Sequence, residues 1–247
     1  RDITYEEFLK EVNSLGTGLY NLGMKGKRVA IISKNRYEWV LSFVTLLLGG
    51  IVAVPIDKDL GFGEFENSLV RSKADSIIFD SKFEEDLKKI RANGNTNLKE
   101  YICMDQSEEF KNLSKVLESG EKLIEEGNES FINAKIDNKA LAELVFTSGT
   151  TAESKAVMLS NYNLARNISD MQLVEDFRST DVNLAFLPLH HTFGSTGQLI
   201  MLSSGLTTAF PDGLRYIAQN LKEYHVTFFV GVPLLIGSMD KKIWQAI

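Results

Sequence analysis

The chain has 247 residues, of which 44% are hydrophobic and 24% charged, with 18 Gly, 4 Pro and a single cysteine, Cys103. That composition excludes collagen-like, disordered and disulfide-scaffold classes and allows one large or two modest globular domains. The net charge of −6 makes the chain a poor binder of phosphate backbones and argues against nucleic acid as a partner.

The elements follow in chain order. Thr4 and Glu7 form a capping-box pattern, and Phe8, Val12, Leu15, Leu19 and Leu22 recur on one helical face before Gly23 stops it. Val29 to Ile32 is an apolar run of strand length. Trp39 to Ile56 carries no charge, but Gly49-Gly50 and Pro55 interrupt it. A helix over Tyr37 to Leu48, a turn and a strand over Ile51 to Val54 therefore fit better than a membrane span. Ile77 to Phe79 and Tyr101 to Met104 are strand candidates, and Ser81 with Glu84 predicts a second capping box opening a helix to about Arg91. From Lys82 to Glu129 the chain is rich in Lys and Glu, which predicts a solvated face with helices and loops. Strands resume at Glu143 to Phe146, Ala156 to Leu159, Val182 to Phe186, Thr207 to Phe210 and Val226 to Val230. A helix is expected from Asn161 with Ser160 as cap, and another through Leu214, Ile217, Leu221 and Tyr224. Short apolar strands alternating with helices, on the order of 25 residues apart, predict an α/β fold with parallel-rich β-sheets flanked by helices. The composition shift after Ala140 divides the chain into expected subdomains 1–138 and 139–247.

The opening residues, Arg1 to Tyr20, lack the apolar core of a signal peptide, and Cys103 fits a reducing compartment, so a cytoplasmic location is expected. Residue 1 is not Met, and the last residues read as a helix in progress, which predicts a piece of a larger protein.

The chemistry-bearing segment lies between the strands at Glu143 and Ala156. Thr147, Ser148, Thr150 and Thr151 supply hydroxyls, Gly149 lets the backbone come close, and Lys155 adds one ammonium. Such a loop suits an anion with many oxygens, a polyphosphate above all; Ser, Thr and Gly also build plain surface loops. A Walker A loop is a poor match, because Ser154 stands at the second Gly and Ala156 at the final hydroxyl.

Thr147-Ser148-Gly149-Thr150-Thr151 followed by Lys155 resembles the signature of the adenylate-forming enzymes, the AMP-dependent synthetases and ligases. Leu187-Pro188-Leu189-His190-His191-Thr192-Phe193-Gly194 is similar to that family's Pro-Leu-x-His motif, and Gly231-Val232-Pro233 to the Gly-Val-Pro that follows. Thr4-Tyr5 with the first helix, then Val29-Ala30 and Asn35-x-x-Glu38-Trp39, resembles its opening, and Gly49-Gly50 through Val54-Pro55 its second strand. The motifs run in the family's order along nearly the whole chain. The runs from Asp212 to Tyr216 and from Gly231 to Leu234 look most like bacterial long-chain acyl-CoA synthetases.

The resemblance implies activation of a fatty acid with ATP to an acyl-adenylate, then transfer to coenzyme A, with Mg²⁺ accompanying the nucleotide. It implies that Thr147, Ser148, Gly149, Thr150, Thr151 and Lys155 cradle the phosphates, that Lys155 and His191 act in catalysis, and that His191, Gly231, Val232 and Pro233 border the acyl site. No residue is assigned as a metal ligand. The acyl slot is expected between the Leu187–Gly197 and Phe228–Leu235 segments. Ala152, Ser154 and Ala156 replace the family's Gly, Pro and Gly, and Asn161 replaces a His after Leu159-Ser160; the lost glycines restrict the loop and imply a weaker nucleotide grip or a loop that orders on binding. The family's later motifs, including its C-terminal Lys, do not occur before Ile247, so the chain alone is expected to be inactive. Two other readings stand beside this one: a non-catalytic nucleotide- or acyl-binding module, and an adenylating ligase for another carboxylic acid. Long acyl substrates partition into bilayers, so peripheral membrane contact is compatible, although no amphipathic anchor is evident.

Overall fold

A computed structural model describes residues 2–147 and 155–246. The chain forms two compact units, 1–166 and 167–247. The sequence-derived division at 138/139 differs from this because the strand at Leu141–Thr147 joins the first unit's sheet.

In the first unit, helix α1 (Tyr5–Asn21) opens with the expected capping box. The Thr4 hydroxyl accepts from the Glu7 N–H at 3.1 Å and the Glu7 carboxylate accepts from the Thr4 N–H at 2.7 Å. Gly23, with φ +77°, ends it in the left-handed region. The helix α2 (Tyr37–Leu48) is buried on most of its surface, as its uncharged sequence requires. Strands β1 (Arg28–Ile32), β2 (Val52–Pro55), β3 (Ser76–Phe79), β4 (Glu100–Cys103), β5 (Lys111–Asn112), β6 (Leu141–Thr147) and β7 (Lys155–Ser160) form one sheet in the order β5-β4-β3-β1-β2-β6-β7. All neighbours are parallel except β6 and β7, which form an antiparallel pair. Helices α3 (Phe62–Ser72) and α4 (Glu84–Asn93) carry Phe65, Leu69, Leu87 and Ile90 into a core with Ile32, Val54, Ile77 and Phe79.

The sequence reading missed α3. Its start lacks a side-chain cap, since Gly61 occupies that position, and Gly63 weakens the pattern. The second capping box is corrected. Asp80, not Ser81, caps this stretch: its carboxylate accepts from the Lys82 N–H, and a 3₁₀ turn over Ser81–Phe83 precedes α4. Helix α5 (Leu113–Glu125), inside the segment read as a solvated face, packs closely along α1. Its Leu113, Val116 and Gly120 are buried, so only the other side of that helix is solvated.

The loops leaving the C-terminal ends of β1, β3 and β4 are tied by one cation. Arg36 Nε lies 2.6 Å from Glu38, and one terminal nitrogen lies 2.9 Å from Asp105 and 3.6 Å from Asp80. Arg36 keeps only 19% of its side chain exposed. Removing it leaves three carboxylates facing one another with little solvent. Arg36→Leu is expected to cost about 2–3 kcal/mol, seen as a lower urea midpoint at unchanged slope. A midpoint within experimental error of the parent would show that the cation ties nothing.

In the second unit, β8 (Val182–Leu184) leads through a turn into helix α7 (Thr192–Ser203), which returns to β9 (Thr207–Ala209), parallel to β8. Helix α6 (Asn161–Gln172) enters this unit with Ile168 and Met171 packed on Ile200, Met201 and Leu206. Ser160 caps it as expected, its hydroxyl accepting from the Asn163 N–H at 3.2 Å. The strand expected at Val226–Val230 is corrected to a single bridge between Phe228 and Asn183. Helices α8 (Ile217–Glu223) and α9 (Pro233–Ala246) complete the unit. Among the described residues, no helix is long and apolar enough to cross a membrane.

Candidate active site

Strand β6 delivers the hydroxyl-rich segment. It lies parallel to β2, so its C-terminal end, Thr147, opens on the carboxyl edge of the parallel sheet, where open α/β sheets bind ligands. Thr147 pairs with Lys155 across β6 and β7, and its hydroxyl donates to the Lys155 carbonyl at 3.3 Å. Both residues are exposed. Ser148, Gly149, Thr150 and Thr151, expected to hold phosphate oxygens, lie outside the described residues, as do Ala152 and Ser154. Ala156 is exposed on β7. The Asn161 side chain donates to the Leu47 carbonyl at 3.2 Å, fixing the start of α6 to the end of α2.

Glu143 lies on β6, four residues before Thr147. Leu144 and Phe146 join the core on one face of the sheet, and strand alternation places Glu143, Val145 and Thr147 on the other. Glu143 is fully buried, and neither carboxylate oxygen has a hydrogen-bond partner among the described residues. Burial pushes its carboxyl up to about 7.

The second unit places the Pro-Leu-x-His segment in the turn between β8 and α7. His191 occupies the N-cap position of α7, and its carbonyl accepts from the N–H groups of Gly194 (2.8 Å) and Ser195 (3.0 Å). Its ring is exposed and lies 4.2 Å from the His190 ring, centre to centre. Gly194 is required here: a Cβ would stand 2.2 Å from the Pro188 carbonyl oxygen. Gly231 and Val232 precede α9, which begins at Pro233.

Beside this turn is a small hollow, half open to solvent. Leu184, Ala185, Leu187 and Leu189 line one side, and Phe193, Gly194 and Gly197 of α7 the other, with Val230 closing it. The hollow lies between these two segments within the unit. His191, Gly231, Val232 and Pro233 do not line it; their chain neighbours Leu189, Phe193 and Val230 do. Among the described residues, no three His, Cys, Asp or Glu side chains gather as a cation site.

The profile of the AMP-binding enzyme family matches residues 1–241. The chain belongs to that family. Within this adenylate-forming ligase family, the chain is 27% identical to fatty acyl-CoA synthetase A of Dictyostelium discoideum, over 99% of the chain and 38% of the relative. It is 28% identical to long-chain-fatty-acid–CoA ligase 5 of Rattus norvegicus, over 98% of the chain and 38% of the relative. The chain thus spans well under half the length of these curated relatives. A long-chain-fatty-acid–CoA ligase from Archaeoglobus fulgidus shares its fold, with a TM-score of 0.86 at 23% identity over 98% of this chain and 47% of that one.

Two features of this AMP-binding family member escaped the sequence reading. Glu143 entered the sequence reading only as the first residue of a strand. Asn183 and Gln198, both buried and lining the hollow, adjoin apolar runs; an amide within Val182 to Leu189 and one just before Leu199 to Leu202 are the signals that were available.

Proposed function

We propose that this chain is the N-terminal portion of an ATP-dependent fatty acyl-CoA ligase. A carboxylate oxygen of the fatty acid attacks the α-phosphorus of ATP, the bond to the β-phosphate breaks, and pyrophosphate leaves. The sulfur of coenzyme A then attacks the acyl carbon, expelling AMP and forming the thioester, with loss of the thiol proton. The segment Thr147 to Thr151 and Lys155 hold the phosphates, neutralising charge that builds as pyrophosphate departs. His191, with Gly231, Val232 and Pro233, borders the acyl and adenylate position, while the apolar hollow receives hydrocarbon. ATP, Mg²⁺ and coenzyme A are the proposed co-substrates.

The observation that carries this reading is where β6 and β7 pair. Thr147 and Lys155, which flank the hydroxyl-rich stretch in sequence, face each other at the carboxyl edge of a parallel sheet, in a chain matched by the AMP-binding family along nearly its whole length. Lys155 is exposed, so removing its ammonium should not disturb the fold. In the complete polypeptide, Lys155→Ala is expected to lower kcat/KM for adenylate formation by about a hundredfold or more with unchanged thermal stability. Activity within threefold of the parent would remove Lys155 from the phosphate site.

A further inference from the structure

The turn between β8 and α7 fixes the backbone of His191 but not its ring. The His191 N–H donates to the Pro188 carbonyl at 3.1 Å, and the His191 carbonyl receives N–H groups from the first turn of α7, those of Gly194 and Ser195. The direction of its Cα–Cβ bond is therefore set by the chain. Its imidazole has no such tie. It makes no capping bond to α7, and among the described residues it makes no hydrogen bond or ion pair. An exposed imidazole held only through Cβ turns among staggered wells about its first side-chain bond and more freely about the second. A role beside the acyl and adenylate position needs one of those orientations, since misplacing a group there by about 1 Å can cost about a hundredfold in rate.

His190 is the neighbour that limits this rotation. In a straight strand, successive side chains leave on opposite faces. Here the bond from His191 to Pro188 closes a tight turn with Leu189 and His190 at its centre. Leu189, only 2% exposed, anchors that turn in the unit. The two imidazoles consequently come to one side, their ring centres 4.2 Å apart and their planes tilted by 51°. They differ in exposure. His191 is exposed, whereas His190 is half-buried and its Nε2 is enclosed by protein. His190 is thus the inner ring of the pair and His191 the outer one that rests on it.

We propose that His190 is a positioning residue for adenylate formation: its inner ring holds the His191 imidazole in the orientation that faces the acyl and adenylate position, an inference that rests on the reading of His191 as a residue of that site. His190 itself touches no substrate and moves no proton. What it supplies is a flat surface in close contact with the outer ring. Another aromatic ring can supply the same surface, and a methyl group cannot.

The test is a double-mutant cycle in the complete polypeptide, read as acid-dependent pyrophosphate release, with kcat and KM measured separately and rates normalised to folded protein. His190→Ala is expected to lower kcat about tenfold while KM for ATP stays within about twofold. His190→Phe, which restores a ring, should stay within about threefold of the parent. In a His191→Ala background, adding His190→Ala should change kcat by less than about twofold, because the ring it orients is gone. An equal loss from His190→Ala in both backgrounds overturns the positioning role, as does His190→Phe performing as poorly as His190→Ala. A large loss in His191→Ala beside a silent His190→Ala sinks this inference alone. Parental activity in His191→Ala removes His191 from the site, and the positioning role with it.

Discussion

Gly120→Ala is expected to destabilise the first unit by about 3 kcal/mol or more, although alanine is ordinarily the better helix residue by about 1 kcal/mol. The reason is the contact between α1 and α5. A Cβ at Gly120 would stand 1.8 Å from the Ser14 carbonyl oxygen and 2.8 Å from the Gly18 nitrogen. Gly18 faces the same interface, where a Cβ would meet the Val116 carbonyl oxygen at 2.3 Å. The obstacles are backbone atoms within helices, which no rotamer change can move aside. The helices would have to separate, loosening Val12, Leu15 and Leu19 from their packing. For a protein of this size the loss corresponds to roughly 6–12 °C in the melting temperature. Gly63→Ala in α3 is the matched control. A Cβ there meets nothing within 4 Å, so it should be neutral or stabilising. Equal effects from the two variants would contradict the close approach of α1 and α5.

Glu143 governs the second large effect, and its sign depends on pH. Folding raises its carboxyl from an ordinary 4.5 to about 7, because burial disfavours the charged form. Below pH 4.5 both states hold the proton and the residue brings no penalty of ionisation. As pH rises toward and through 7, the unfolded chain releases the proton first, so the folded state loses stability. The loss reaches about 3 kcal/mol at pH 8, at roughly 1.36 kcal/mol per pH unit. Glu143→Gln, which mimics the protonated shape, should match the parent at pH 4.5 and exceed its stability by about 3 kcal/mol at pH 8. Urea denaturation of both proteins across this range measures the difference. Parallel profiles would mean that the carboxyl finds compensation when ionised.

Much of the fold was legible because period and punctuation agreed. The Thr4–Glu7 box, the α1 face and Gly23 all pointed to one helix, and the apolar runs of β1 to β4 read directly as parallel strands. What failed did so for identifiable reasons. Helix α3 begins with glycine instead of a capping side chain. The Val226 to Val230 run has strand composition but forms only one bridge, at Phe228. The segment Lys82 to Glu129 looked wholly solvated because the charges on the outer side of α5 mask a helix whose inner side is built around Gly120. Phe131, just past that segment, fills the space over Gly16 and Gly49, where a Cβ would lie within 2.2 Å and 2.7 Å of its ring. Such contacts join residues more than eighty positions apart, and local pattern does not reveal them. At the candidate site, the order of the motifs was readable, with Thr147 and Lys155 on paired strands and the Pro-Leu-x-His segment in the turn before α7. The tie between α7 and β9 was not, because only the fold brings Gln198 within hydrogen-bond reach of Thr208.

The most direct measurement is exchange of labelled pyrophosphate into ATP by the complete polypeptide, with and without fatty acid. Adenylate formation is reversible through pyrophosphate, so exchange should begin only when an acid is supplied and should be lost in Lys155→Ala. Exchange that is absent with every acid, or nucleotide cleavage to ADP and phosphate in its place, would contradict an adenylate-forming site at the Thr147–Lys155 bend.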